Sequence, residues 1–330
     1  MFTSRRPLRT LSITALAVAG LAGLTACGDA GAGGSGKTEV VASFYPVAWL
    51  AGRVAGGDAT VQTLTRPGTE PHDLELTPRQ IADVGGADYA VYVKGVQPAV
   101  DEAVRKSAAD RSLDAASVVK TIPAPSQAGH DEHGHEGGEH GHEGGEHGHE
   151  GGEHDHDVAH DPHIWLDPSR MATIATALGD RLAAADTAHA AGYKSRAAAV
   201  AGELTALDRA FQDGLKSCER KTIVTAHAAF GYLADRYGLK QVSIAGVDAS
   251  AEPSPRRLAE LTHEVKETRT TTIFTETLVS PRVAETLARS AGVRTAVLDP
   301  VEGVKQGSSD DYLSIMRKNL ETLEPALGCR

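Results

Sequence analysis

Three histidines are the residues of this chain best suited to chemistry. Ten of the 15 histidines lie within residues 130–160, which leaves five elsewhere. Among these five, His72, His163 and His227 each stand where a predicted strand or turn meets a helix. Ligands of parallel α/β sheets bind beyond the carboxyl ends of the strands, and imidazole nitrogen is a favoured ligand of Zn²⁺. The three positions therefore predict a metal site.

A carboxylate stands close to this pattern. Asp299 directly follows a predicted strand at residues 295–298, so it is placed to supply an oxygen ligand at the same sheet edge. The two remaining histidines, His189 and His263, fall within predicted helices among polar neighbours. We expect both to be solvated surface residues.

The other histidines belong to a repeat. The unit EHGHEGG at residues 132–138 recurs at 139–145 and 146–152. So much glycine with nothing apolar to bury cannot offset the entropy of ordering, which predicts a disordered loop over residues 129–160. We hypothesise that the loop collects Zn²⁺ weakly, the alternative being an insertion with incidental affinity. The histidines concerned are His133, His135, His140, His142, His147, His149, His154 and His156.

The charge argues against one class of partner. The formal net charge is −11, and residues 130–160 hold ten acids with no Lys or Arg. Nucleic-acid binding needs a basic surface to neutralise phosphates, so we expect no nucleic-acid partner.

The amino terminus indicates export and anchoring. Three arginines among the first nine residues precede an apolar run at residues 11–24, which is shorter than the roughly 20 residues that span a bilayer. The run ends in Leu-Thr-Ala-Cys, which resembles a bacterial lipobox. Lipidation of Cys27 would hold an extracytoplasmic protein on the cell membrane without spanning it.

Strands alternate with helices along the rest of the chain, which predicts an α/β fold with mainly parallel sheets. Strands are predicted at residues 39–43, 61–64, 89–93, 221–225, 241–244, 271–275 and 295–298. Helices are predicted at residues 46–55, 78–85, 96–109, 168–185, 187–217, 228–237, 255–268, 281–291 and 310–323.

These elements divide the chain into two lobes joined by one long helix. The expected parts are a lipoprotein signal peptide at 1–26, a flexible tether at 27–38, an N-terminal α/β lobe at 39–128, the disordered loop at 129–160, the end of the N-terminal lobe at 161–186, the linking helix at 187–217 and a C-terminal α/β lobe at 218–330.

Four stretches resemble the motifs of a known family. They are PGTEPHDLELTPRQ at 67–80, DPHIWLDP at 161–168, TAHAAFGYLADRYGL at 225–239 and TAVLDPVEG at 295–303. They occur in the order found in the zinc and manganese receptors of bacterial ABC importers, and they are most similar to the ZnuA-like zinc branch. The resemblance runs from about residue 40 to the carboxyl terminus, interrupted by the histidine loop.

The resemblance implies a fold and a site. The fold would be two α/β lobes linked by a rigid helix, with one Zn²⁺ in the cleft between them. The ligands would be His72, His163, His227 and Asp299, with Glu276 beside them or as an alternate ligand. Pro71 stands where some zinc receptors have an acidic residue, so the fourth ligand stays open between Asp299, Glu276 and water.

The resemblance also implies a role and its alternatives. A monomer would capture Zn²⁺ and hand it to the membrane permease of an ABC importer. A manganese receptor of the same family is one alternative, although imidazole at residue 227 suits Zn²⁺ better than Mn²⁺. A zinc buffer acting through the histidine loop is another. An enzyme is not expected, because the sequence has no HExxH helix motif and no GxSxG motif.

Two cysteines remain besides Cys27. In an oxidising compartment an even pair favours a disulfide between Cys218 and Cys329, with two free thiols as the alternative. Neither has the CxxC spacing of a metal site.

Overall fold

The computed structural model describes residues 36–124 and 160–330, so Cys27 and the eight loop histidines named above lie outside the described residues. The strands are β1 Thr38–Ala42, β2 Ala59–Thr63, β3 Tyr89–Tyr92, β4 Ser112–Asp114, β5 Thr222–Thr225, β6 Lys240–Ser243, β7 Thr272–Thr275 and β8 Arg294–Val297. The α-helices are α1 Tyr45–Ala55, α2 Pro78–Gly86, α3 Pro98–Ser107, α4 Pro168–Ala185, α5 Ala190–Leu215, α6 Gly231–Tyr237, α7 Pro255–Glu267, α8 Arg282–Ala291 and α9 Tyr312–Leu327.

The strands form two parallel sheets, which confirms the predicted fold class. One sheet has the order β2-β1-β3-β4 and the other β6-β5-β7-β8, and each pairing between these eight strands is parallel. The sequence pattern missed β4, because its three residues Ser-Leu-Asp contain a single apolar side chain and give no strand periodicity. Within each lobe the carboxyl ends of the strands lie at one edge of the sheet.

Two helices near this edge begin at the predicted caps. Thr77 forms a capping box with Gln80 at the start of α2, and Pro78 occupies the first turn. The Asp167 carboxylate accepts hydrogen bonds from the N–H groups of Ser169 and Arg170 at the start of α4. The caps therefore determine where the segments that contain His72 and His163 end and the following helices begin.

The two lobes share one hydrophobic core. Helix α5 has 26 residues, which is about 39 Å at 1.5 Å per residue. It begins later than the predicted residue 187 because a 3-10 turn occupies Thr187–His189, and it ends at Leu215 instead of residue 217. Buried side chains of both lobes, including Leu50, Leu204, Phe230 and Leu323, belong to a single packed cluster. The lobes are therefore joined by core packing as well as by the helix.

A disulfide joins Cys218, just after α5, to Cys329, just after α9. The backbones of the two cysteines also form an isolated antiparallel bridge. Within the described part of the chain, every helix is too short or too polar to cross a membrane.

Candidate metal centre

Four side chains from four separate segments converge between the lobes. His72 lies in the turn between β2 and α2, and His163 immediately precedes a 3-10 turn at Ile164–Leu166. His227 follows β5 by two residues, and Glu302 follows β8 by five. One ligand atom from each of the four lies within 4.8 Å of the others. The structure thus brings together the three histidines that the sequence singled out.

The three imidazoles direct the same nitrogen at one carboxylate oxygen. The Nε2 atoms of His227, His72 and His163 lie 3.2, 3.4 and 3.6 Å from Oε1 of Glu302. The side chains of His163 and His227 are fully buried, Glu302 is 1% exposed, and the His72 side chain is 9% exposed. His72 is therefore the member of the cluster nearest to solvent.

Carboxylates hold the outer nitrogens of two histidines. Asp161 Oδ1 accepts from the His163 backbone N–H at 2.9 Å and lies 2.7 Å from its Nδ1. Glu276, directly after β7, accepts from the His227 backbone N–H at 3.0 Å and lies 2.7 Å from Nδ1 of that ring. A carboxylate that accepts a hydrogen bond from Nδ1–H fixes the imidazole tautomer and leaves the lone pair of Nε2 free. Glu276 thus lies behind His227, the first of the two positions that the sequence left open for it.

The fourth member of the cluster is Glu302, whereas the sequence pointed to Asp299. The Asp299 carboxylate accepts from the Val301 N–H at 2.7 Å and from the Thr277 hydroxyl at 3.0 Å. Asp299 is closer to the end of β8, but the chain turns at Val301, whose φ is +58°. A β-branched residue rarely adopts this conformation, so a turn that presents Glu302 was hard to predict from the sequence. The one sign of Glu302 in the sequence was its position within the family-like stretch at residues 295–303.

Charges of opposite sign stabilise each other in the cluster. Burial raises the pKa of Glu302, but His227 and the nearby imidazoles of His163 and His72 outweigh burial and hold it well below its usual value. Burial lowers the pKa of His227, yet Glu302 and Glu276 raise it well above the usual value. The pKa of His163 is also raised, because Asp161 and Glu302 outweigh the opposing effect of burial. The buried carboxylate and the two imidazoles therefore favour each other's charged forms.

A fifth acidic residue supports the turn of His72. Oε1 of Glu70 accepts a hydrogen bond from the His72 backbone N–H at 3.1 Å. Burial, followed by the nearby Glu302 carboxylate, raises the pKa of Glu70 to about 8. Glu70 helps to fix the backbone at His72 although Pro71 separates the two residues.

The donor set of the cluster fits a metal ion. Among the described residues, Nε2 of His72, Nε2 of His163 and Oε2 of Glu302 are buried atoms that have no hydrogen-bond partner. Buried polar atoms are normally paired, so these three atoms indicate a site built for an additional group. Three imidazole nitrogens and one carboxylate match the tetrahedral preference and the ligand types of Zn²⁺.

The other two histidines outside the repeat lie apart from the cluster. The His189 side chain is 49% exposed and pairs with Asp186, and the His263 side chain is 73% exposed beside Glu267. Both have the surface positions expected from their polar helical surroundings.

Comparison with known proteins agrees with this geometry. The family model described as zinc-uptake complex component A, periplasmic (ZnuA), matches residues 40–326. The zinc-binding protein AdcA of Streptococcus pyogenes is 39% identical over 291 residues, which cover 87% of this chain and 56% of AdcA. The high-affinity zinc uptake system protein ZnuA of Bacillus subtilis is 33% identical over 312 residues, covering 92% of this chain and 93% of that protein.

A solved structure extends the comparison. The crystal structure of the Zn(II)-bound ZnuA-like domain of Streptococcus pneumoniae AdcA matches with a TM-score of 0.70 and 34% sequence identity, covering 88% of this chain and 99% of that chain. The chain thus spans little more than half of the AdcA protein that it matches, but nearly all of the ZnuA-like domain and of the B. subtilis protein. Because the family match covers most of the sequence and both lobes, the chain belongs to the ZnuA family of zinc-uptake complex components.

Proposed function

We propose that this protein captures Zn²⁺ outside the cytoplasm and delivers it to the membrane permease of an ABC importer. The observation that carries the proposal is the convergence of three imidazole Nε2 atoms on the Glu302 carboxylate, at 3.2 to 3.6 Å. The names of the zinc-binding relatives support it. The ion is cargo here, so the site has to bind and release it without changing it chemically.

The proposed ligands are His72, His163, His227 and Glu302. This set replaces Asp299 with Glu302 because the latter has a buried oxygen without a partner, whereas both oxygens of Asp299 accept hydrogen bonds within the protein. One ionised carboxylate and three neutral imidazoles leave a bound Zn²⁺ site with a net charge of +1. Asp161 and Glu276 add compensating negative charge behind two of the imidazoles.

Manganese is the alternative cargo within the same family. Mn²⁺ favours oxygen ligands and octahedral coordination, whereas three of the four groups here offer nitrogen. We therefore expect the cluster to bind Zn²⁺ more tightly than Mn²⁺.

The histidine repeat is proposed as an accessory collector of Zn²⁺, binding several ions weakly beside the single tight site. Imidazoles interspersed with carboxylates can bind metal in many interchangeable arrangements. If the repeat were the functional part, the protein would act as a buffer, and its capacity would reside in residues 130–160.

We also propose that Cys27 is lipidated and anchors a monomeric receptor at the outer face of the cell membrane. The lipobox-like sequence at residues 24–27 supports this assignment. Replacement of Cys27 by Ser should move the protein from the membrane fraction to the medium or the periplasm, as measured by fractionation and immunoblotting. A Cys27→Ser protein that stays with the membrane would contradict the anchor.

A calorimetric titration tests the receptor role. The mature chain lacking residues 130–160 is titrated with Zn²⁺ and with Mn²⁺, beside the same chain carrying His72→Ala and His163→Ala. The surface substitution His263→Ala is the control, since it removes an exposed imidazole outside the cluster. We expect one tight Zn²⁺ site in the parent and in the control, lost in the double variant, and weaker Mn²⁺ binding. Weak or absent Zn²⁺ binding in the loop-deleted parent would instead favour the buffer.

A further inference from the structure

Helix α9 carries two buried polar side chains on one face. Tyr312 and Asn319 are seven residues apart, which is close to two helical turns. Tyr312 is 0% exposed and Asn319 is 2% exposed. Each makes hydrogen bonds to a different segment of the candidate metal centre, although neither belongs to the converging cluster.

Asn319 holds the turn before Glu302. Its Oδ1 accepts from the Asp299 backbone N–H at 2.8 Å, and its Nδ2 donates to the Asp299 carbonyl at 2.7 Å. The side-chain amide thus uses its acceptor and a donor on the backbone of one residue. Because the Asp299 carboxylate accepts in turn from the Val301 N–H, the chain from residue 299 to residue 301 is fixed by two linked contacts.

The conformation that these contacts maintain is an unfavourable one. Val301 has a φ of +58° and is fully buried. Such a conformation is unfavourable for a β-branched residue and persists only where the surroundings over-determine it. Since Glu302 is the next residue, the direction of its carboxylate depends on Val301 staying in the left-handed region.

Tyr312 holds the segment of His163. Its hydroxyl donates to the Trp165 carbonyl at 2.5 Å, and the Trp165 indole N–H donates to the Pro300 carbonyl at 2.7 Å. The Tyr312 ring stacks on Trp49 at 4.8 Å between ring centroids. The turn after His163 is thereby connected both to α9 and to the turn before Glu302.

We infer that α9 sets the geometry of the metal centre: Asn319 is a positioning residue for Glu302, and Tyr312 is a positioning residue for His163. The two side chains join ligand segments of both lobes to one rigid helix. This inference rests on the proposed metal-binding function, and it predicts that changes on α9 alter the coordination of the metal without removing any ligand.

Cobalt provides a readout of coordination that a merely structural role would not affect. The full mature chain is compared with Asn319→Ala, Tyr312→Phe and the exposed control Glu321→Ala on the same helix. We expect Asn319→Ala to weaken Zn²⁺ binding by about tenfold, as for residues that orient metal ligands. Its Co²⁺ complex should also lose the intense visible bands of four-coordinate cobalt. Tyr312→Phe should show a smaller change of the same kind, and Glu321→Ala none.

A rescue experiment separates positioning from general destabilisation. Glycine adopts positive φ freely, so Val301→Gly should make the turn less dependent on Asn319. In the Val301→Gly background, the affinity loss caused by Asn319→Ala should shrink by about threefold or more, as expected for coupled neighbours. Asn319→Asp, which keeps the acceptor for the Asp299 N–H, serves as a second variant if Asn319→Ala does not fold. Folding is checked by circular dichroism.

Failure of the inference about α9 can be distinguished from failure of the proposed function. Absence of a single tight Zn²⁺ site in the unmodified chain would refute the receptor itself. A tight site in the unmodified chain, with folded Asn319 variants matching its zinc affinity and cobalt spectrum, would overturn only the inference about α9. An affinity loss that Val301→Gly leaves unchanged would also overturn it.

Discussion

At the scale of single residues, the candidate metal centre is defined by paired roles. Three imidazoles present Nε2 towards Glu302, and two of them are oriented from behind by the carboxylates of Asp161 and Glu276. Ligating histidines characteristically donate their other nitrogen to such a partner. The arrangement gives one explanation for five buried polar residues, which are Asp161, His163, His227, Glu276 and Glu302.

The identity of the fourth ligand can be tested by two isosteric changes. Glu302→Gln removes a charged oxygen from the cluster, so zinc affinity should fall more than it does in Asp299→Asn. The latter disturbs only the turn, for which we expect a loss of about tenfold. Competition with a chelator of known affinity measures both variants. A larger loss in Asp299→Asn would return Asp299 to the ligand set and contradict the role given to Glu302.

Zinc binding should be coupled to proton release. Nearby carboxylates raise the pKa of His163 and of His227 above the usual histidine value, and a ligating imidazole must lose its proton. Affinity should therefore fall as the pH falls, beginning above pH 6.5. Calorimetry in buffers of different ionisation enthalpy counts the protons released.

The pH dependence has a clear contrary outcome. A zinc affinity that stays constant between about pH 8 and pH 6 would show that histidines do not dominate the site. The variant His227→Ala, if it still binds, should release fewer protons than the unmodified protein, because His227 faces both Glu276 and Glu302.

At the scale of elements, the parallel strands of the C-terminal lobe position residues of the candidate metal centre, and α9 is the last helix of that lobe. His227, Glu276 and Glu302 all follow the carboxyl ends of neighbouring strands β5, β7 and β8, which is where parallel sheets bind ligands. The carboxyl ends of α5 and α9 meet at the disulfide between Cys218 and Cys329. Function and covalent reinforcement thus lie at opposite ends of the C-terminal sheet.

Removal of the disulfide should therefore affect stability and spare binding. The bond links residues 111 positions apart, and loss of a native disulfide of this kind lowers the free energy of unfolding by about 2–4 kcal/mol. Chemical denaturation of the Cys218→Ser, Cys329→Ser double variant measures this change. Its Zn²⁺ stoichiometry should stay at one tight site. A lost site with intact secondary structure would mean that the bond also shapes the metal centre.

At the scale of the whole molecule, the lobes are held by more than the linking helix. The shared core includes residues of α1, α4, α5 and α9, and Trp165 in the segment of His163 contacts the carbonyl of Pro300 in the other lobe. Packed cores resist continuous deformation. We therefore expect small local adjustments of the turns around the metal and little rotation of one lobe against the other.

Small-angle X-ray scattering with and without Zn²⁺ tests this expectation. The loop-deleted chain is the suitable sample, so that changes in residues 130–160 do not contribute to the scattering. The radius of gyration should be the same within error in both states. A marked compaction on zinc addition would indicate hinge closure of the kind seen in other binding proteins.

Much of the fold was predictable from local patterns. The alternation of strands and helices indicated two parallel sheets, and the caps Thr77 and Asp167 marked the starts of α2 and α4. Local chemistry determines these features, because caps and strand periodicity depend on residues close together in the sequence. Strand β4, with one apolar residue, had no such pattern and forms because β3 offers it a paired edge.

The candidate metal centre likewise has a part that was predictable from the sequence and a part that was not. By itself, the sequence predicted the three histidines of the cluster, since each stands at a strand or turn junction where an α/β sheet places its ligands. Only the tertiary structure decided that Glu302 joins them and that Asp299 does not. The physical reason is the left-handed turn at Val301, which contacts from Asp299 and the distant Asn319 stabilise. A conformation that depends on Asn319, 20 residues after Asp299, leaves no mark on the local sequence.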